Sequence, residues 1–427
     1  MSRAPLVVVG DVLLDREVLG RVERLCPEAP VPVFDESEVL DRPGGAGLAA
    51  LFTASAAASG PPGRTRPGRP PREVVLVAAV SADTAGDRIR ELLARAAVRL
   101  VEVPLLGPTP EKIRLRAGGH LLMRLDRGSG PAEIAAAPAA AIEAIRAAGA
   151  ILVSDYGRGI CAHPQLRAAL TERAQCVPLV WDPHPRGGHP VPATRLVTPN
   201  RAEASGFVSS NLGGPRSGEW PLTAALHPAD GVAVHVGGNG HGASNGASAS
   251  NGAGAAGNGN GRAANNRVTP NHAVPTGAVG NGNGRVAGNG GAAKGDATTS
   301  SNGHATAHAD AATADLAQAA GMAVRLRRYW GASAVVVTLD DRGAVMSDGV
   351  NPPLLVPTPF SARGDSCGAG DRFASAALAS LSEGSSILEA VTTAVTAATA
   401  YVAAGGALSL CPELHERADD PASVVII

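Results

Sequence analysis

A carboxylate that closes a turn of small residues at the start of an apolar helix can act as a base beside an anion held on backbone N–H groups. The run Asp365-Ser366-Cys367-Gly368-Ala369-Gly370-Asp371, followed by the apolar Phe373-Ala374-Ser375-Ala376-Ala377-Leu378-Ala379, has that form. Gly368 and Gly370 let a ligand approach the backbone without side-chain obstruction. Phosphoryl transfer needs positioning, charge neutralisation and a base for the attacking hydroxyl, and this turn offers the first and the last. The plainer alternative is a capped helix start after a glycine-rich turn.

Two further clusters carry chemistry. Thr198-Pro199-Asn200 with Glu203 sets an amide and a carboxylate at the end of a short apolar run, hard oxygen ligands suited to a hydrated Mg²⁺ on nucleotide phosphates. The same spacing also makes Asn200 a helix cap with Glu203 as its capping-box partner. Arg42-Pro43-Gly44-Gly45-Ala46-Gly47 allows a backbone to lie against a sugar, and Asp15 upstream can accept hydrogen bonds from hydroxyls.

These residues need a scaffold. Short β-branched or aliphatic runs occur at Leu6 to Val9, Val74 to Val80, Ala150 to Val153, Pro178 to Trp181, Arg195 to Val197 and Ala334 to Val337. Helix-like stretches lie between several of them, at Ala85 to Ala97, Ala139 to Ala148 and Ala311 to Tyr329. The alternation predicts an α/β fold, a mostly parallel central sheet with helices on both faces. Ligands of such sheets gather beyond the carboxyl ends of the strands. Gly10-Asp11, Ser154-Asp155, Asp182 and Thr338 all stand there.

The chain has 427 residues, 44% of them hydrophobic, and a net charge of -1, enough to bury a full core and too neutral to attract nucleic acid or an anionic membrane. The cluster Arg64, Arg66, Arg69 and Arg72 is interleaved with prolines and reads as a solvated loop. No apolar run is long enough to cross a bilayer and the amino terminus has no secretory pattern, so a cytoplasmic protein is expected. Five scattered cysteines, Cys26, Cys161, Cys176, Cys367 and Cys411, read as free thiols. From 209 to 310 the chain turns to Gly, Asn, Ala, Ser and Thr, a composition expected of a disordered insertion, with histidines too scattered for a metal site. Residues 1–208 and 311–427 would then form one interrupted domain.

The terminal signature Asp365 to Asp371 and the Asn200/Glu203 pair resemble those of the ribokinase-like PfkB carbohydrate kinases. Gly10-Asp11-Val12-Leu13-Leu14-Asp15-Arg16, the segment Arg24 to Val33, Arg42-Pro43-Gly44-Gly45-Ala46, Lys112-Ile113-Arg114, Arg124-Leu125-Asp126, Ser154 to Gly159 and Asp182-Pro183 are most similar to its heptose-7-phosphate kinases, which supply ADP-heptose. The resemblance implies a ribokinase-like fold with a small β lid from about 16–39 and 101–126, an ATP- and Mg²⁺-dependent kinase, and a homodimer through the lid. It implies Asp371 as base and Gly368, Ala369 and Gly370 as anion hole. It places Asp15, Gly44, Gly45, Lys112, Arg114, Asp155 and Arg158 around a sugar phosphate, Asn200, Thr338 and Gly343 at the nucleotide, and Glu203 with Asn200 near Mg²⁺ through water. The product would go to a separate adenylyltransferase. The chain departs from the family pattern at Leu48, where an Asn usually meets the sugar, at His184, often Lys, and at Val395, often Asn. Those departures keep two alternatives open, another sugar or nucleoside kinase of the family and a sugar-phosphate binder without turnover.

Overall fold

Strand β1 (Leu6–Gly10) is apolar at every position, so both of its faces must be covered. The structure, a computed structural model, describes residues 3–59, 72–130, 133–212, 235–236 and 302–407. After β1 come β2 (Val12–Leu25), β3 (Pro32–Gly45), α1 (Ala46–Ser59), β4 (Val74–Val80), α2 (Thr84–Arg95), β5 (Val98–Leu106), β6 (Glu111–Ala117), β7 (His120–Arg127) and β8 (Glu133–Ile134). Then follow α3 (Ala139–Ala147), β9 (Ala150–Ser154), α4 (Pro164–Ala174), β10 (Leu179–Asp182), β11 (Leu196–Val197), α5 (Arg201–Asn211), β12 (His235–Val236) and α6 (Asn302–Trp330). The chain closes with β13 (Ala334–Thr338), β14 (Ala344–Ser347), β15 (Leu354–Val356), α7 (Ala369–Ser382) and α8 (Ile387–Ala403).

The main sheet has the order β12-β15-β14-β13-β11-β10-β9-β1-β4-β5-β8. It is parallel from β13 through β5, with Val7 of β1 opposite Val75 and Ile151, and gains antiparallel neighbours at β14, β15 and β8. The period of two sorts the core into two layers. Val7, Val9, Val75, Val77, Ile151 and Val153 pack with residues of α3, α4, α5 and α6. Leu6, Val8, Leu76 and Leu152 pack with α1, α2, α7 and α8 on the other face. The chain order reverses between β1 and β9, so the carboxyl ends of those strands form a crevice where a ligand can enter.

A second sheet, β3-β2-β6-β7, makes the lid. Its limits differ from the expected 16–39 and 101–126: it starts at Val12, runs to Gly45, and takes its other strands from β6 and β7. Residues 101–106 instead belong to β5, paired in parallel with β4. The 14-residue strands β2 and β3 carry charges along much of their length, which hides the alternation by which a strand is recognised.

The expected insertion, 209–310, begins inside α5 and ends inside α6; between 213 and 301 only β12 is among the described residues. Arg64, Arg66, Arg69, Cys411 and the side chains of the insertion's histidines also lie outside the described residues, while Arg72 donates to the Ala4 carbonyl at 2.9 Å. No described helix is long and apolar enough to cross a membrane. The flanks of the insertion meet directly: Arg201 grips Asp315 at 2.6 and 3.0 Å, and Arg325 donates to the Leu212 carbonyl at 3.1 Å. We propose that residues 1–212 and 311–407 form one kinase domain. Helix α6 rises ~1.5 Å per residue, so a linker must retrace part of it to rejoin Leu212. Replacing residues 213–310 with a Gly/Ser linker of about 12 residues should leave a single cooperative thermal transition and full activity. A broadened or lost transition would make the segment part of the core.

Candidate active site

Gly368 precedes α7 with a φ of +82°, a conformation that favours glycine. A Cβ there would also stand 2.8 Å from Leu48 Cδ2 and 3.0 Å from the Tyr401 hydroxyl. The turn is tied by Asp365 Oδ1 accepting from the Cys367 N–H at 2.9 Å, and by the Ala369 N–H donating to the Ser366 carbonyl at 3.0 Å. Of the three expected anion-hole donors, Ala369 is therefore engaged. Among the described residues, the N–H groups of Gly368 and Gly370 make no hydrogen bond and remain for an anion at the helix N-terminus.

Leu48, Phe52 and Tyr401 form a small apolar cluster beneath this turn, apart from the two main core layers. The Tyr401 hydroxyl donates to the Cys367 carbonyl at 2.9 Å, its ring meets Phe52 edge-on at 5.1 Å, and Arg372 lies over Phe52 at 5.5 Å. Leu48 is 2% exposed. It packs against the turn at Gly368, where an unpaired amide in its place would cost about 1–3 kcal/mol. Val395 is likewise a core residue, packed within the layer of α7 and α8.

Asp371, in the first turn of α7, is 4% exposed and points at the end of β9. Tyr156 donates its hydroxyl to Asp371 Oδ2 at 2.8 Å, and Ser154 donates to Oδ1 at 3.4 Å. Burial pushes the Asp371 carboxyl up to about 7; these two hydrogen bonds and Lys112 pull it down, and Asp15 pushes it further up. A carboxylate poised there accepts a proton near neutral pH. Asp182, half-buried at the end of β10, is also pushed well up, by desolvation and then by Asp371, although Thr198 donates to it at 2.8 Å.

The lid contributes a charged network. Asp15 and Glu17, two residues apart on one face of β2, are buried, as is Arg42. Arg114 donates to Asp15 at 2.9 Å, Arg116 donates to Glu17 at 2.8 Å, and Arg42 reaches Asp15 at 3.8 Å and Glu17 at 3.5 Å. The Arg42 Nε has no hydrogen-bond partner. Gly44 is glycine because a Cβ would sit 2.4 Å from Asp15 Oδ2, and the backbone of Gly45 lies against the Tyr156 ring.

Some expected ligand contacts are otherwise occupied. Asp155 accepts from the Gly157 and Gly188 amides at 2.8 and 3.1 Å and, pushed up to about 7 by burial and by Asp11, clamps loops. Asp11, Asp155 and Cys161 converge as a possible cation cage, yet Asp11 is spent on the amides of Tyr156, Arg158 and Ile160. The Arg158 guanidinium holds the carbonyls of Gly128 and Gly130, and Arg114 is neutralised by Asp15 and Glu17. Lys112, by contrast, stands over the Tyr156 ring at 5.6 Å.

On the far side of the crevice, Asn200 and Thr338 bridge between β11 and β13, and Gly343 turns the chain into β14 with a φ of +98°. The capping-box alternative for Asn200 and Glu203 is realised: each side chain accepts from the other's backbone N–H, at 2.9 Å. Glu203 retains one free carboxylate oxygen, so this pair fits a metal only through its bound water. Cys26, Cys161, Cys176 and Cys367 are free thiols. Tyr156, Ser154 and Glu17 are the residues that sequence reasoning gave no role; Ser154 stood at a strand end, while nothing in the spacing marked Tyr156 as a partner of Asp371.

The raised carboxyl has a sign in stability. Folded Asp371 holds its proton up to about 7, whereas an unfolded Asp releases it near ~4, so this group costs stability increasingly as pH rises between those values. Asp371→Asn should raise Tm by about 5 °C at pH 8, with the gain shrinking to nothing near pH ~4, followed by thermal unfolding across pH. An equal or lower Tm at pH 8 would contradict the strained carboxylate.

Residues 305–414 match the family described as pfkB family carbohydrate kinase. The chain is 39% identical over 430 residues to the Bifunctional protein HldE of Streptomyces coelicolor, across 99% of this chain and 67% of that protein. The Bifunctional protein HldE of Azorhizobium caulinodans is 36% identical over 215 residues, 48% of this chain and 42% of its own length. The chain thus spans about two thirds of the first relative and aligns with less than half of the second. Both are named as bifunctional, so in them two activities share one chain, and the separate adenylyltransferase expected from the sequence does not follow from these relatives. The fold is similar to the ribokinase of Thermotoga maritima, with a TM-score of 0.52 at 16% identity over 95% of each chain. It is also similar to the ribokinase of Cryptococcus neoformans solved with ADP, with a TM-score of 0.53 at 14% identity over 97% of this chain and 99% of that one. With the ribokinase-like sheet, the helix-capped acidic turn and the extended identity together, the chain belongs to the pfkB family of carbohydrate kinases.

Proposed function

We propose that the protein transfers the γ-phosphoryl group of ATP to the anomeric hydroxyl of a heptose 7-phosphate, giving the 1,7-bisphosphate. The observation that carries this reading is Asp371: a buried carboxyl pushed up to about 7, within the same helix turn as two uncommitted amides. The identity of the sugar rests on the heptose-kinase segments of the sequence and on the extended likeness to HldE. Of Leu48, His184 and Val395, which raised the alternative of a binder without turnover, Leu48 and Val395 are buried in the core.

In this reading the sugar lies between Asp15 with Gly44 and Gly45 on one side and Tyr156 on the other. Its anomeric O–H gives its proton to Asp371, the oxygen forms a bond to the γ-phosphorus, and the bond to the ADP leaving oxygen breaks. The Gly368 and Gly370 amides meet the equatorial oxygens as negative charge gathers there. Thr338, Gly343 and Asn200 border the nucleotide. Mg²⁺, when bound, neutralises phosphate charge, and Glu203 with Asn200 would hold its water shell. The use of ATP as donor supports a cytoplasmic enzyme. The edge strand β7 of the lid exposes Leu121, Leu122, Met123 and Leu125, which supports a homodimer joined lid to lid.

A coupled ADP-release assay across phosphorylated and free sugars should give the highest kcat/KM with heptose 7-phosphate; turnover confined to unphosphorylated sugars or nucleosides would replace this substrate. Asp371→Asn should lower kcat by at least ~10²-fold while nucleotide binding persists. Tyr156→Phe removes a charge-assisted hydrogen bond that favours the ionised base, so the acidic limb of kcat/KM should move up by about one pH unit. An unmoved limb would separate Tyr156 from the proton transfer.

A further inference from the structure

Helix α6 carries one carboxylate to two loops at once. Its carboxyl-terminal half belongs to the core, with Ala319, Ala320, Met322, Ala323 and Leu326 fully buried in the layer shared with α3, α4 and α5. Asp315 stands one turn before Ala319, where the helix leaves that layer, so the packing of α6 fixes where this carboxyl lies. Arg201 donates to both of its oxygens, at 2.6 and 3.0 Å, and reaches Gln318, three residues on along the same helix face, at 3.3 Å. Arg342 comes to Asp315 Oδ2 at 3.5 Å.

Each of the two arginines adjoins a residue at the nucleotide edge of the crevice. Arg201 opens α5 directly after Asn200, and Arg342 directly precedes Gly343. A cation in the first turn of a helix opposes the helix dipole, so local structure disfavours Arg201 there and the Asp315 carboxylate offsets it. The two segments meet at the carboxyl ends of β11 and β13, where the Thr338 N–H donates to the Pro199 carbonyl at 3.1 Å and Asn200 bridges to Thr338. The turn that follows β13 is tight: Asp340 and Gly343 have φ of +50° and +98°, and the Leu339 N–H donates to the Gly343 carbonyl at 2.8 Å. A positive φ is uncommon for a residue with a Cβ, so this turn needs holding from outside. Arg342 on Asp315 is one hold, and the Thr358 hydroxyl, which donates to the Asp341 carbonyl at 2.8 Å, is another.

We propose that Asp315 is a positioning residue for the nucleotide: by holding Arg201 and Arg342 on one carboxylate, it sets the separation of the Asn200 and Gly343 loops and with it the affinity for ATP and ADP. This role rests on the ATP-dependent reading above and adds a residue that no sequence pattern marked. The side chains of Arg201, Asp315 and Arg342 are at least a third exposed, and ion pairs so exposed add little to global stability. What the Arg201 fork supplies is direction, since two N–H···O bonds fix the guanidinium plane against the carboxylate. The clamp also spans the low-complexity stretch of the chain: Arg201 precedes it, while Asp315 and Arg342 follow it, so the nucleotide edge is assembled from both halves of the sequence.

Calorimetric titration of the whole protein with ADP, in Mg²⁺ and without any sugar, reads this role directly. Asp315→Ala should weaken ADP binding by about 5- to 10-fold and raise the KM for ATP to match, with the KM for heptose 7-phosphate and the Tm little changed. Asp315→Glu should recover part of the affinity, and Arg342→Ala should weaken binding more in the wild type than in Asp315→Ala, because the two side chains act as a unit. Unchanged ADP affinity in Asp315→Ala overturns the clamp and leaves the kinase reading standing. A fall in Tm with both KM values raised together also overturns it, as general loosening of the fold. Wild-type protein that binds no ADP overturns the nucleotide reading, and the clamp with it.

Discussion

Much of this structure follows from holding one carboxyl group in a place where its charge is expensive. Asp371 sits in the first turn of α7 with almost no solvent, and water has been replaced by a tyrosine hydroxyl, a serine hydroxyl and the amide end of a helix. Each substitute demands its own support. The helix turn exists because Gly368 takes a left-handed conformation over the Leu48, Phe52 and Tyr401 cluster. Tyr156 is held because Asp11 gathers the amides of the loop that carries it and Gly45 leaves its ring room to lie flat. The environment of this carboxyl is thus the joint product of β9, α1, α7 and α8, and a residue as distant in sequence as Tyr401 belongs to it.

The lid shows a second consequence of the same economy of charge. Asp15 and Glu17 are buried, and the charge of Asp15 raises the proton affinity of Asp371. Arg42, Arg114 and Arg116 face them, so the buried acids of the lid are paired with cations and carry little net field. Counting cations around a crevice therefore misleads, because Arg42, Arg114 and Arg116 are fixed against the lid's own acids.

The parallel sheet was legible because both faces are covered, so its strands are short apolar runs whose ends are marked by a polar residue; β1, β4, β9 and β13 were found within a residue or two. The turn before α7 was legible for a related reason, since few residues other than glycine can occupy it. The lid was legible through the resemblance and not through alternation, and its limits shifted, because its strands bury charge pairs in place of apolar side chains. The Asn200 and Glu203 pair shows the limit of spacing as evidence, as a capping box and a metal shell use the same three-residue interval, and here the box is formed. Leu48, read in the sequence as a departure at the sugar site, is in three dimensions buried with Phe52 and Tyr401 beneath the turn before α7. Tyr156 left no trace in spacing, because its partner lies 215 residues away.

The central claim is that the fold makes Asp371 a base by raising its carboxyl to about 7 while its neighbours keep it able to ionise. Infrared difference spectra of wild type minus Asp371→Asn, recorded without ligands as pH is varied, isolate that one carboxyl. The account predicts a protonated carbonyl band that gives way to a carboxylate band with a midpoint near 7. A carboxylate already ionised down to the ordinary Asp value of ~4 would contradict it.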